Sequence, residues 1–138
     1  MSASASKWEE FKATMSRPTL WSAARANDVA TIVDLLRSGA EVDARDSRGY
    51  SALMLAAYAG NQEAFDLLLA EGADVESPDA SGNSVLMGAA FKGHLSMVER
   101  LIAAGASTQA KNHAGLDVRA FALMFGRTDV VALLDRLS

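Results

Sequence analysis

The chain has 138 residues, 50% hydrophobic and 22% charged, with a formal net charge of -4; it can bury one continuous core, and its acidity argues against non-specific attraction to phosphate backbones. It has no cysteine, which excludes disulfides, thiolate metal sites and thiol nucleophiles. No apolar run approaches the roughly 20 residues that span a bilayer, and Met1–Lys12 lacks the apolar stretch of a secretory signal, so a cytoplasmic location is expected, or a periplasmic one if a signal peptide has been removed.

Residues 1–15 are expected to be an N-terminal tail or capping helix. Trp8, Phe11 and Met15 stand at i, i+3 and i+7, the spacing of one apolar stripe that would cover the open end of the first helical unit. The first six residues are expected to be disordered.

From Pro18 the pattern is helix, turn, helix, extended loop. Leu20–Ala26 reads as a short helix rich in small residues, with Asn27 as its turn residue. Gly60, Gly93 and Gly126 occupy that register later, and glycine and asparagine accept the left-handed backbone of a helix end. The second helix of each unit carries Ile32/Leu35/Leu36, Phe65/Leu68/Leu69, Val98/Leu101/Ile102 and Val131/Leu134, an i, i+3, i+4 stripe in which Asp135 replaces the last aliphatic. Gly39, Gly72 and Gly105, each followed by alanine, stop that helix.

Glycines 49, 82 and 115 recur every 33 residues with their neighbours in register, the signature of a stacked array whose units bury apolar faces only against one another. Ala23, Ala56, Ala89 and Ala122 share one register; Ala24, Ala57 and Ala90 share the next, which Leu123 breaks. Alanine there lets the first helices of adjacent units approach closely. Ser51, Ser84 and Asp117 are helix-capping candidates. The units divide at about 16–45, 46–78, 79–111 and 112–138.

Asp46–Ser77, with Asp-x-x-Gly, Ser51-Ala-Leu-Met54, the Ala56-Ala57 pair and Gly72-Ala-Asp-Val75, resembles the ankyrin repeat. Asp79–Ala110 fits nearly as well, including Gly93-His94 and Gly105-Ala106. Pro18–Arg45 is similar to a truncated first repeat and Asn112–Ser138 to a last one without its trailing loop. The resemblance implies an all-α solenoid of helix-turn-helix units joined by β-hairpin-like loops. The family's Thr-Pro-Leu-His becomes Ser51-Ala-Leu-Met54, Ser84-Val-Leu-Met87 and Asp117-Val-Arg-Ala120, so the usual Thr–His hydrogen bond is lost. Arg119 stands in a normally buried register; a terminal repeat has one uncovered side, so it is expected to reach water rather than form a specific salt bridge.

Chemistry is not visible. His94 falls at a helix turn, where the family uses histidine for structural hydrogen bonding, and His113 in a loop; they are 19 residues apart without ligand neighbours, so no metal site is expected. Pairs such as Glu9/Glu10 and Asp43/Asp46 fall in the tail or on solvated loops. No phosphate-cradling loop, nucleophile elbow or dinucleotide fingerprint occurs. No catalytic residue, cofactor or enzymatic activity is expected, since an array offers no water-excluding pocket.

In ankyrin-like arrays, partners touch the hairpin tips and the exposed ends of the first helices along the concave side. By register this selects Ser47, Arg48 and Tyr50; Ala80, Ser81 and Asn83; His113, Ala114 and Leu116; and, on the helices, Arg25/Ala26, Tyr58/Ala59, Phe91/Lys92 and Met124/Phe125. Tyr58, Phe91 and Met124 share a register and are read as a binding stripe in preference to core. Trp21, Met54 and Met87 align one turn deeper, as packing with a partial share of the groove floor. Arg25, Arg45, Arg48, Lys92 and Lys111 map to this side. The expected function is that of a monomeric protein–protein interaction module whose partner protein offers acidic and apolar groups, with neither nucleic acid nor membrane as target. Occlusion of a partner enzyme's cleft, as inhibitor or protector, is the sharper reading. The alternative is a structural or assembly accessory that stabilises its partner without blocking an active site.

Overall fold

Each loop tip is built by one polar side chain that folds the chain back on itself. Asp46 Oδ1 accepts from the amides of Arg48 and Tyr50, Asp79 Oδ1 from those of Ser81 and Asn83, and Asn112 Oδ1 from those of Ala114 and Leu116, all at 2.9–3.0 Å. Gly49 closes its turn with φ +88°, its amide donating a hydrogen bond to Asp46 O, a conformation that glycine adopts without a Cβ clash. This is the physical content of the recurring Asp-x-x-Gly. The loops hold little sheet: Arg45 and Ser51 form an isolated antiparallel bridge.

The computed structural model describes residues 18–137; the helix expected on Trp8, Phe11 and Met15 lies outside them. The described residues form eight helices in antiparallel pairs: α1 Leu20–Ala26 with α2 Val29–Arg37, α3 Ala52–Ala59 with α4 Gln62–Ala70, α5 Val85–Lys92 with α6 Leu95–Ala103, and α7 Val118–Met124 with α8 Thr128–Leu137. The protein is therefore an all-α repeat solenoid, as the 33-residue period implies.

The odd-numbered helices form the inner row. Ser51 Oγ and Ser84 Oγ accept from Met54 N and Met87 N at 3.1 Å, and Asp117 Oδ1 from Ala120 N at 2.9 Å, so all three expected caps form. Every residue in Ala52–Ala57 and in Val85–Ala90 is buried, whereas the terminal helices α1 and α7 bury only one side. That difference arises from position, since α3 and α5 have neighbours on both flanks. Ala23, Ala56, Ala89 and Ala122 are all buried. Adjacent inner helices pack more closely than adjacent outer ones, which makes the inner row the tighter side of the stack.

The outer helices bury one stripe each: Ile32 on α2, Ala64, Phe65 and Leu68 on α4, Met97, Val98 and Leu101 on α6, and Val130, Leu133 and Leu134 on α8. Polar side chains then tie pair to pair. Asn27 is the one described non-glycine residue with positive φ, at 56°. Its Oδ1 accepts from Ala64 N at 3.0 Å, and its Nδ2 donates to Glu63 Oε2, so it turns its own unit while capping α4 of the next. Asn61 Nδ2 donates to the carbonyls of Ala24 and Arg25 at 2.8 Å. Arg127 Nε, in the same register two units on, donates to Phe91 O at 2.6 Å.

Two expectations require correction. His94 makes no structural side-chain hydrogen bond: it packs over Gly60, and its Nε2 is buried without a partner among the described residues. The imidazole fills the gap that Asn61 bridges elsewhere, but presents no donor to a carbonyl. Arg119 does reach solvent, yet it also forms a specific ion pair, with Nε 3.0 Å from Asp135 Oδ1 and Nη2 3.4 Å from Oδ2.

Candidate functional site

The C-terminal ends of the inner helices and the first loop tip converge on one depression. Arg25 closes α1, Tyr58 and Ala59 close α3, Phe91 and Lys92 close α5, and Arg48 and Tyr50 descend from the loop. With Leu55 they line a hollow of about 450 Å³. Of the selected residues, Arg25, Arg48, Tyr50, Tyr58, Ala59, Phe91 and Lys92 thus meet in one place.

The aromatic rings hold one another. Tyr50 and Tyr58 meet edge to face with centroids 6.0 Å apart, and Phe91 and Phe125 do so at 4.7 Å. Phe121 joins the second group, 5.0 Å from Phe125 and 6.2 Å from Phe91. Such edge contacts fix the rings' orientation relative to one another. Arg48 Cζ lies 5.1 Å from the Tyr50 centroid and Lys92 Nζ 6.0 Å from that of Phe91, within cation–π range.

Tyr58, Tyr50 and Phe91 are each half-buried and packed against the core on one side. Tyr58 and Phe91 of the stripe are therefore partly core and partly surface, while Met124 is exposed. Burial, followed by the Asp79 carboxylate and Tyr50, pushes the Tyr58 phenol above its ordinary value, so it stands as a neutral hydrogen-bond donor at physiological pH. Asp79 is itself saturated by its loop amides and by Asn83 Nδ2.

The remaining selected residues lie away from the hollow. Ser81 is exposed on the second loop tip, and its carbonyl accepts from the His113 amide at 3.0 Å. Asn83 is occupied: its Nδ2 donates to Asp79 and its Oδ1 accepts from Asn112 Nδ2 at 2.8 Å. The His113 ring rests over Gly82, and Leu116 packs against the core. Met124 and Phe125 are exposed beyond Phe91. The expected share of Met54 and Met87 in the groove floor is not found, because both are 1% exposed; Trp21 is half-buried and donates Nε1 to Ala44 O.

Two contributors escape the register reading. Leu55 lines the hollow from the inner wall. Gly88, in the register of Leu55 and Phe121, leaves room for Met54 behind Tyr58: a Cβ there would lie 2.9 Å from Met54 Sδ and in ordinary contact, at 3.5 Å, with Tyr58 Cζ. The signal was present in the Leu, Gly, Phe variation of that column.

Among the described residues no His, Asp and Glu cluster could hold a metal ion, and no helix is long and apolar enough to cross a membrane. A family model described as ankyrin repeats, in three copies, matches residues 20–112. No curated protein matches the chain.

Proposed function

This chain belongs to the ankyrin-repeat family, and on that footing we propose that it binds a partner enzyme through the inner-helix groove and occludes its cleft, as inhibitor or protector. Ankyrin repeats are generally protein–protein interaction modules and typically lack enzymatic activity. The observation that carries the finer reading is the hollow in which Tyr50, Tyr58 and Phe91 stand among Arg25, Arg48 and Lys92. Half-buried rings are already ordered, so little side-chain entropy is lost when a partner covers them. The cations favour an acidic and apolar surface and disfavour a basic one. The protein acts as a monomer.

The array extends by a fourth repeat, α7–α8, beyond the matched span. Support comes from the Asp117 cap and from Gly115 and Gly126, whose positive φ repeats that of their counterparts.

The test is a turnover assay on the complex purified from the native cell. Occlusion predicts loss of partner turnover, relieved in a complex formed with Tyr58→Ala. Unchanged turnover with greater heat resistance would contradict occlusion and favour the accessory role.

A further inference from the structure

Cations and apolar groups are segregated along the groove. Arg25 on α1 and Arg48 on the first loop tip occupy its N-terminal half, and Lys92 ends α5. Beyond Lys92 the exposed end of α7 is wholly apolar: Leu123, Met124 and Phe125 are 52%, 61% and 44% exposed. The edge contact of Phe125 with Phe91 makes this patch continuous with the hollow. The cations nearest its C-terminal end already have partners, Arg127 in the Phe91 carbonyl and Arg119 in Asp135. Among the described residues no Asp or Glu lines the hollow, although the chain as a whole carries -4, so the positive potential is local.

Resting on the groove reading above, we propose that the occupant is one segment of a partner protein with its acidic residues grouped at one end and its aliphatic or aromatic residues at the other. The acidic end lies against Arg25 and Arg48, and the apolar end against Phe91, Met124 and Phe125. Inner helices packed about 8–10 Å apart put α1 and α7 roughly 25–30 Å from each other, which an extended segment covers in about eight or nine residues. Reversing such a segment would place its carboxylates on the apolar side chains of Met124 and Phe125, away from Arg25 and Arg48, and would leave those two cations facing apolar groups. The groove therefore imposes a direction on its ligand as well as a composition.

The probe is a synthetic peptide of about ten residues, a block of glutamates followed by a block of leucines and phenylalanines, titrated into isotope-labelled protein. A second peptide has the same composition with acidic and apolar residues alternating. The segregated peptide should shift the amides of Arg25, Arg48, Lys92 and Phe125 and bind several-fold more tightly than the alternating one. A nitroxide on its apolar end should broaden Met124 and Phe125 and spare Arg25. Equal affinity for the two peptides, equal broadening at both ends, or no shift at all would overturn the proposal. So would the same shifts on concentrating the protein alone, which would make the occupant a second copy. Groove shifts without direction sink the segregation and leave the groove reading standing; shifts confined to other surfaces contradict both.

Discussion

Arg119 Nε lies 3.0 Å from Asp135 Oδ1, and each of these residues stands where its counterparts are aliphatic. Leu53 and Leu86 precede Arg119 in register; Leu36, Leu69 and Ile102 precede Asp135. The two departures from the repeat answer each other across α7 and α8, on the face that an additional unit would cover. Beneath the pair lies a hollow of about 300 Å³ whose lining includes Ile102, Val118, Leu134 and Leu137.

The pair has a pH signature. The Arg119 hydrogen bond, ahead of the guanidinium charge, holds the Asp135 carboxyl below its ordinary 3.8. A carboxyl depressed in the folded state adds stability above its unfolded pKa and loses it as pH falls through the folded value. Urea midpoints should therefore show a small, salt-sensitive loss below about pH 4 that Asp135→Asn lacks. Identical pH profiles for the two proteins would contradict this. Arg119→Leu combined with Asp135→Leu, which makes this face apolar, should sediment with a larger apparent mass than the parent; an equal mass would contradict that expectation.

His94 marks a place where stability can be gained. Asn61, one unit earlier, donates to two carbonyls of the preceding inner helix, while His94 Nε2 is buried without a partner among the described residues. His94→Asn should donate to the carbonyls of Ala57 and Tyr58 and raise stability by about 0.5–1.5 kcal/mol. Thermal unfolding measures it; a lower midpoint would show that the ring's packing over Gly60 outweighs the missing bond.

Much of the array was legible because it repeats. The turn built by Asp46, Asp79 and Asn112, the caps at Ser51, Ser84 and Asp117, and the alanine column through Ala56 and Ala89 depend on local geometry that a 33-residue period restates. What register comparison could not supply is contact between different columns. Arg119 and Asp135 each showed as an anomaly, but their pairing depends on the relative phase of two helices. Asn61, His94 and Arg127 share one column and solve one spacing differently, two with hydrogen bonds and one with a ring. The hollow was legible in part: register comparison picked out Arg25, Tyr58 and Phe91, which line it together, whereas Leu55, which lines it too, stands in another column.

Gly88 tests the packing behind Tyr58. Adding a Cβ would gain about 1 kcal/mol of helix propensity but force it against Met54 Sδ at 2.9 Å. Met54 is boxed in, so overpacking of about 1–3 kcal/mol should win. Gly88→Ala should lower the urea midpoint by the equivalent of about 1 kcal/mol and shift the Met54 methyl resonance, with Tyr58 following only as far as Met54 pushes it. A more stable variant with an unmoved Met54 resonance would contradict this.

The most direct measurement is the affinity of Tyr58→Ala and Phe91→Ala for the partner recovered from the native cell, with cooperative unfolding followed on the same samples. The groove account predicts that each substitution weakens binding by about 1–3 kcal/mol while unfolding stays cooperative. Unchanged affinity, or loss of the folded state in place of affinity, would contradict it.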